Sequence, residues 1–339
     1  MNEFRLGLPV TGVASFLRAP VCADLTNVDA DIGFLGVPYD EGSGWITGQR
    51  FAPRKIREMS VRFAGHALQS PGGFYDIDEG KKFLTHERNA GRFVDCGDSD
   101  IVVTNVRKTF DNITKDVRRI LKAGLFPVTV GGDHSITFPI LRAYKEKFHI
   151  VHFDAHIDYR PLEHGIYGNS GQPLKLASEL PNCGHIVQIG IRSLRTVEGQ
   201  IKDSLARGNE VITVSQLRRR GPESIIKRLP KNEPVYVTVD IDVLDPPFIP
   251  GCSSAELNGI TYDELRQAMF VVARNREVIG FDVTEVNPMI DLPAQNTSFL
   301  AAQLIVEFLG RVVEHPAYRK RHPIKGRLPA KQKKKGRSR

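Results

Sequence analysis

The run Ile150-Val151-His152-Phe153-Asp154-Ala155-His156-Ile157-Asp158 starts as an apolar strand and ends in three ionisable side chains, each two residues from the next. In an extended chain successive side chains alternate faces, so Asp154, His156 and Asp158 are expected to point the same way. Buried strands avoid charge unless it is paired. Val239-Asp240-Ile241-Asp242 repeats the device with two more carboxylates. Upstream, Gly131-Gly132-Asp133-His134-Ser135 follows another apolar run and adds an imidazole. Asp154, Asp158, Asp240 and Asp242 with His134 and His156 would hold two divalent cations, whose charge four carboxylates balance. Without the ions, such a cluster would be too costly to bury.

Working outward, apolar and β-branched runs recur near residues 31–37, 93–96, 126–131, 148–154, 185–190, 210–214, 234–240 and 277–283. Between most of them lie amphipathic patterns that predict helices, among them Val106–Lys122, Ser135–Lys147 and Tyr262–Arg274. That rhythm predicts a single three-layer α/β domain, with a mostly parallel eight-stranded sheet and helices on both faces. Open α/β sheets bind ligands at the carboxyl ends of their strands, where each cation motif falls. The expected organisation is an arm over 1–30, a catalytic domain over 31–318 and a disordered basic tail over 319–339.

Composition is that of an ordinary globular protein, 41% hydrophobic and 25% charged over 339 residues. No apolar run approaches bilayer length, and the N-terminus lacks the basic start and clean apolar core of a signal peptide, so no membrane association is expected. Cys22, Cys96, Cys183 and Cys252 are far apart and form no CxxC pair, which fits free thiols in the cytoplasm. The net charge of +8 is local: residues 319–339 hold eleven Lys or Arg and no acid, leaving 36 basic against 39 acidic residues, or −3, elsewhere. A nucleic-acid role would rest on that tail alone, without interleaved aromatics, and is not expected.

Four motifs in this order, GGDHS (131–135), HFDAHID (152–158), TVDIDVLDP (238–246) and DVTEVNP (282–288), resemble the ureohydrolase superfamily of arginase and agmatinase. Gly36–Asp40, Phe51–Arg57 and Gln188–Arg192 resemble further blocks of that family, so the likeness spans roughly residues 30 to 310. It implies an arginase-like fold and a homo-oligomer, trimer or hexamer. It also implies one ion on His134, Asp154, Asp158 and Asp240 and a second on Asp154, His156, Asp240 and Asp242, with Asp154 and Asp240 bridging. Carboxylate and imidazole ligands suit Mn²⁺ first, with Ni²⁺, Zn²⁺ or Fe²⁺ as alternatives, and no cysteine is among the expected ligands. By the same resemblance Asp158 relays a proton and Glu285 grips the substrate guanidinium through paired N–H bonds.

Departures from the family pattern bear on the substrate. Ser170-Gly171 stands where arginases and agmatinases usually carry a His-Gly whose imidazole shuttles protons. Asn169-Ser170-Gly171 and Asp158-Tyr159-Arg160 resemble formimidoylglutamases instead, and His164 is the candidate replacement shuttle. Glu256 keeps an agmatinase glutamate in a loop, Cys252–Gly259, that otherwise departs. Ser170, Glu256, Arg160 and Asn169 are the candidate substrate-binding residues. The leading expectation is hydrolysis of a guanidino compound to urea and an amine: agmatine first, then guanidine, an alkylguanidine or a guanidino acid. Glu285 with Glu256 favours a cationic substrate, unless Arg160 and Arg192 reach the pocket and take a carboxylate. The alternatives are hydrolysis of a formimino substrate, releasing formamide, and a non-catalytic paralogue, against which the intact ligand set speaks.

Overall fold

The computed structural model describes residues 11–64 and 72–324. Ten strands lie among them: β1 (Ile32–Val37), β2 (Phe74–Asp76), β3 (Lys81–Phe83), β4 (Phe93–Asp98), β5 (Phe126–Gly131), β6 (Phe148–Phe153), β7 (Cys183–Ile191), β8 (Glu210–Thr213), β9 (Val235–Asp240) and β10 (Val278–Thr284). Eight form one sheet in the order β4-β1-β5-β10-β9-β6-β7-β8, and every neighbouring pair is parallel. All eight expected strands are present, and the sheet is wholly rather than mostly parallel. β2 and β3 make a separate antiparallel pair; three-residue strands are too short to show an alternation in sequence.

The central strands read as continuous apolar runs because both of their faces are covered. All six residues of β9, Val-Tyr-Val-Thr-Val-Asp, are buried. Helices Ala52–Ala64, Tyr262–Asn275 and Asn296–Val312 pack one core; Val106–Lys122, Thr137–Leu141 and Pro173–Ser178 pack the other. Local signals set the helix starts. Asn105 accepts from the Lys108 N–H, and Thr261 with Glu264 forms a reciprocal capping box. The helix expected over Ser135–Lys147 is shorter: a 3₁₀ turn, His134–Ile136, leads into Thr137–Leu141. Tyr144 then turns inward, its hydroxyl donating to the Ile279 carbonyl at 3.3 Å.

After β5 the chain crosses to β6 and leaves room for two strands, which β9 and β10 fill later. The winding reverses there, so the crevice lies beyond the carboxyl ends of β5, β10, β9 and β6, the strands that carry the four motifs.

The expected boundary at 318/319 falls inside a helix, Pro316–Arg321. Tyr318 is buried edge-on against Phe126, while Arg319 pairs with buried Glu87 at 2.6 Å and Arg321 with Glu277 at 2.7 Å. A basic composition hid these anchors because the acids they meet lie far away in sequence. Residues 325–339 of the expected tail lie outside the described residues. Residues 1–10 of the expected arm lie outside the described residues; in the rest of it Phe16 is buried and stacked on Phe34 at 4.3 Å. Among the described residues no helix is long and apolar enough to cross a membrane, and all four cysteines are free.

Candidate active site

β6 ends at Phe153, so strand alternation aligns only His152 with Asp154; His156 and Asp158 come from the loop beyond. Asp154 Oδ1 accepts the His156 N–H at 2.5 Å, a local turn that brings the second imidazole back over the strand end. Asp158 sits in a left-handed conformation, φ +47°. Asp240 closes β9 and caps the 3₁₀ turn Ile241–Val243 by accepting the Asp242 N–H at 2.9 Å. Asp242 accepts from Ala155 N–H at 2.9 Å and from the Ser254 hydroxyl at 3.0 Å.

These turns bring all six expected ligands together. His134 Nδ1 lies 3.1 Å from Asp154, 2.9 Å from Asp158 and 3.4 Å from Asp240. His156 Nδ1 lies 3.3 Å from Asp154 and 2.9 Å from Asp242. Burial, then Asp242 and Asp154, hold the Asp240 carboxyl well above the usual range; burial, then Asp154, raise Asp158. Burial works against a charge on His156, but Asp242 and Asp154 outweigh it and lift its pKa to about 12. Among the described residues no Lys or Arg donates to any of the four carboxylates.

The imidazole of His134 tests whether cations fit. The Thr238 hydroxyl donates to Asp282 at 2.6 Å, so its oxygen is left to accept from His134 Nε2, 2.9 Å away. That fixes a proton on Nε2 and turns Nδ1 toward three carboxylate oxygens; burial opposes a charge on the ring, but Asp154, Asp158 and Asp240 outweigh it and hold its pKa well above the usual range. Nδ1 is buried. A buried nitrogen set among three carboxylates calls for positive charge between them, a proton on Nδ1 or a metal ion in its place. Potential ligand atoms fall into three groups, each within 4.8 Å: His134, His152, Asp154 and Asp158; Asp154, His156 and Asp242; Asp240, Asp242 and Cys252.

Two members of those groups were not expected. His152 donates to Asp154 at 2.7 Å and orients it; its signal was the strand period, which places it on the face of Asp154. Cys252, not among the expected ligands, lies beside Asp240 and Asp242, where its backbone bridges Val286 and Ser254 bonds Asp242 at 3.0 Å. Burial, then Asp242 and Asp240, push its thiol well up, so it stands there neutral.

Glu285 follows β10 in a left-handed conformation, φ +65°, and its backbone N–H bonds the Gly132 carbonyl at 2.9 Å. Its carboxylate is held from two sides, by the His134 N–H at 2.8 Å and the Gln49 side-chain amide at 3.1 Å. Burial, then Asp133, push its pKa up to about 8, against the His134 N–H.

A pocket of about 380 Å³ opens over the cluster, with His156, Asp158, Asp240 and Glu285 among its lining. Asn169, Ser170 and Arg160, three of the candidate substrate-binding residues, line it, together with Arg195 and the exposed Trp45. Asn169 also braces the loop by donating to the Gly42 carbonyl at 3.1 Å. Three candidates go elsewhere. Exposed His164 lines an adjoining cavity rather than this pocket. Glu256 faces His156 at 3.3 Å, Ser193 at 2.6 Å and Arg195 at 2.9 Å, so its charge is spent on protein groups. Arg192 is turned inward and donates to the carbonyls of Gly190, Asp242, Val243, Leu244, Glu256 and Leu257. It clamps the ligand loop and leaves the pocket to Arg195, which sequence motifs did not mark.

The arginase family model matches residues 30–310. A guanidinobutyrase of Pseudomonas aeruginosa is 32% identical, over 88% of this chain and 92% of that protein. A mitochondrial agmatinase of Gallus gallus is 31% identical, over 88% of this chain and 85% of its own length. The crystal structure of formimidoylglutamase from Bacillus subtilis superposes with a TM-score of 0.77 at 25% identity, covering 89% of this chain and 93% of that one.

Proposed function

This chain belongs to the arginase family and is a hydrolase of C–N bonds in linear amidines, and we propose that its substrate is a guanidino compound with a carboxylate at the far end, cleaved to urea and an amine. The observation that carries the reading is the pocket's charge arrangement. Glu285 lines it beside the Asp/His cluster, while Arg160 and Arg195 line it too and Glu256 does not. Agmatine, the first expectation, would bring its terminal ammonium to a pocket with two guanidinium groups. A carboxylate would pair with them bidentately.

His134, Asp154, Asp158 and Asp240 would hold one divalent ion, and Asp154, His156, Asp240 and Asp242 the other, with Mn²⁺ or Ni²⁺ the leading choices. Ions so held supply the Lewis acidity that makes water a nucleophile near neutral pH. The protein does the rest. Glu285 accepts paired N–H bonds from the guanidinium and holds its carbon over the cluster. Asp158, at the pocket wall and 2.9 Å from His134, takes the proton of the attacking water and passes it to the leaving nitrogen. With the ligand on Nδ1, His156 carries its proton on Nε2 and donates it to Glu256. Arg195 also sits 2.7 Å from Nε2, a contact that requires a bare nitrogen there. It loses that contact in this tautomer and is left to Glu256 and an incoming carboxylate. We take the enzyme to act in the cytoplasm as a homo-oligomer.

Assay of the Mn²⁺- or Ni²⁺-supplied chain tests this. Urea release should be faster from 4-guanidinobutyrate than from agmatine or guanidine. Faster turnover of agmatine would overturn the assignment of the two arginines. Arg160 and Arg195 would also suit the carboxylates of formimidoylglutamate, so formamide release from it, outpacing every guanidino compound, would select that second reading.

A further inference from the structure

We infer that Gln49 sets the carboxylate of Glu285 for the guanidinium, a positioning role that rests on the amidine-hydrolase reading above. Gln49 is fully buried in the short 3₁₀ turn Gln49–Phe51, far from every cation motif in sequence. Its Nε2 lies among three acceptors, the Ile46 carbonyl at 3.2 Å, the Ser253 hydroxyl at 3.3 Å and Glu285 Oε2 at 3.1 Å. Three acceptors around one end settle which end of the amide carries the hydrogens. The opposite end, Oε1, is buried with no partner among the described residues. An orphaned buried acceptor costs about 1–3 kcal/mol, which a side chain placed only for stability would avoid. An apolar residue of similar size would fill the same slot without that cost.

The surroundings deliver Gln49 to this place. Gly48 adopts φ +140°, and a side chain there would run into Asn287. Asn287 in turn donates to the Thr47 carbonyl at 3.2 Å and to Ser253 at 2.9 Å. The loop before the first helix is thereby stitched to the segment after β10 that bears Glu285. The two oxygens of Glu285 then have one donor each, the His134 backbone and the Gln49 amide. The backbone donor cannot be varied by substitution. Gln49 is thus the side chain through which the angle of the anchor is adjusted.

The test uses the full chain loaded with Mn²⁺ and the variant Gln49→Met, which keeps volume but has no N–H. Calorimetry with guanidinium chloride reads the anchor directly. Its Kd should rise roughly tenfold, as for loss of one hydrogen bond to a charged group. KM for 4-guanidinobutyrate should rise in parallel, with a smaller fall in kcat. The inhibition constant of 4-aminobutyrate, which lacks the guanidinium, should stay within about twofold, and ion content should be unchanged. Gln49→Glu should be worse than Gln49→Met, because it sets like charges together. A guanidinium Kd within about twofold of wild type would overturn the proposal. So would a parallel loss of ions and of 4-aminobutyrate binding, which marks a loop that has merely collapsed. If Gln49→Met does not fold, Gln49→Ala is read the same way; failure of both variants to fold assigns Gln49 to stability and also overturns it. If wild type binds guanidinium but hydrolyses no guanidino compound, the proposed function falls while Gln49 is still judged on Kd. If wild type does not bind guanidinium, both fall.

Discussion

Asp95 in β4 and Asp240 in β9 are both buried carboxylates of the same sheet, and they are neutralised in opposite ways. Asp95 receives Arg57 through Nε at 2.8 Å and Nη2 at 2.9 Å, plus the N–H groups of Phe16 at 2.9 Å and Gly97 at 3.0 Å. Every lone pair it presents has a donor. Asp240 has the Asp242 N–H and the His134 imidazole at 3.4 Å, no Arg or Lys among the described residues, and otherwise acids and the neutral Cys252 thiol around it. Asp282 in β10 is a third solution, satisfied by the hydroxyls of Thr238, Tyr236 and Thr137 without any ion pair. A buried acid completed by protein donors belongs to the fold; one left facing other acids is free to share a cation.

The largest separation between the two regions should come from paired substitutions. Asp240→Asn should lower turnover by roughly two to three orders of magnitude and remove at least one of two ions per chain by elemental analysis, with the fold retained. Asp95→Asn should leave turnover per folded molecule near wild type and cut stability instead. Breaking a buried ion pair costs about 3–5 kcal/mol, readable in urea unfolding. If Asp95→Asn lost ions, or if wild type supplied with metal held none, the contrast would collapse.

Stripping ions by chelation should lower Tm, because cations bind the folded cluster and not the unfolded chain. At a free ion concentration of 100 times Kd the stabilisation is about 2.7 kcal/mol, recovered when Mn²⁺ is returned. A chelator-insensitive Tm, with ions shown to leave, would mean that the acids are accommodated without them.

Asp282→Asn should fall between these extremes. It disturbs the proton on His134 Nε2 through Thr238 and should weaken ion binding about 10- to 100-fold while the sheet survives. Arg195→Ala should be smaller again and selective. KM for 4-guanidinobutyrate should rise about tenfold while guanidine, which has no tail, is unaffected. Removing residues 325–339 should have the least effect, with turnover and Tm unchanged and only retention on heparin reduced. A loss of turnover there would tie the basic segment to the pocket or to a neighbouring subunit.

Legibility in sequence follows the range of the forces involved. The eight strands were readable because burial on both faces demands long β-branched runs. The convergence of the six Asp and His was readable because their residue types recur in short motifs at strand ends. Trp45 and Gln49 were not, since neither lies in a motif and both reach the site through a loop closed by Asn287 and Ser253. Arg192 and Arg195 are three residues apart and equally basic, yet one is spent on six carbonyls and the other faces the pocket. Arg192 lies in the Gln188–Arg192 block and Arg195 outside it, yet nothing in that block says which of the two faces the pocket.

The sequence by itself therefore determined the α/β class, the strands that carry the site and the residue types that meet there, because these depend on residue type and on periods of two and 3.6. Only the tertiary structure decided that His156 and Asp158 arrive through a turn and not along a strand, that Glu256 is spoken for and that Arg195 reaches the pocket. Those outcomes depend on which backbone carbonyls and distant acids a side chain meets after the sheet has reversed its winding, and that encounter leaves no mark on neighbouring residues.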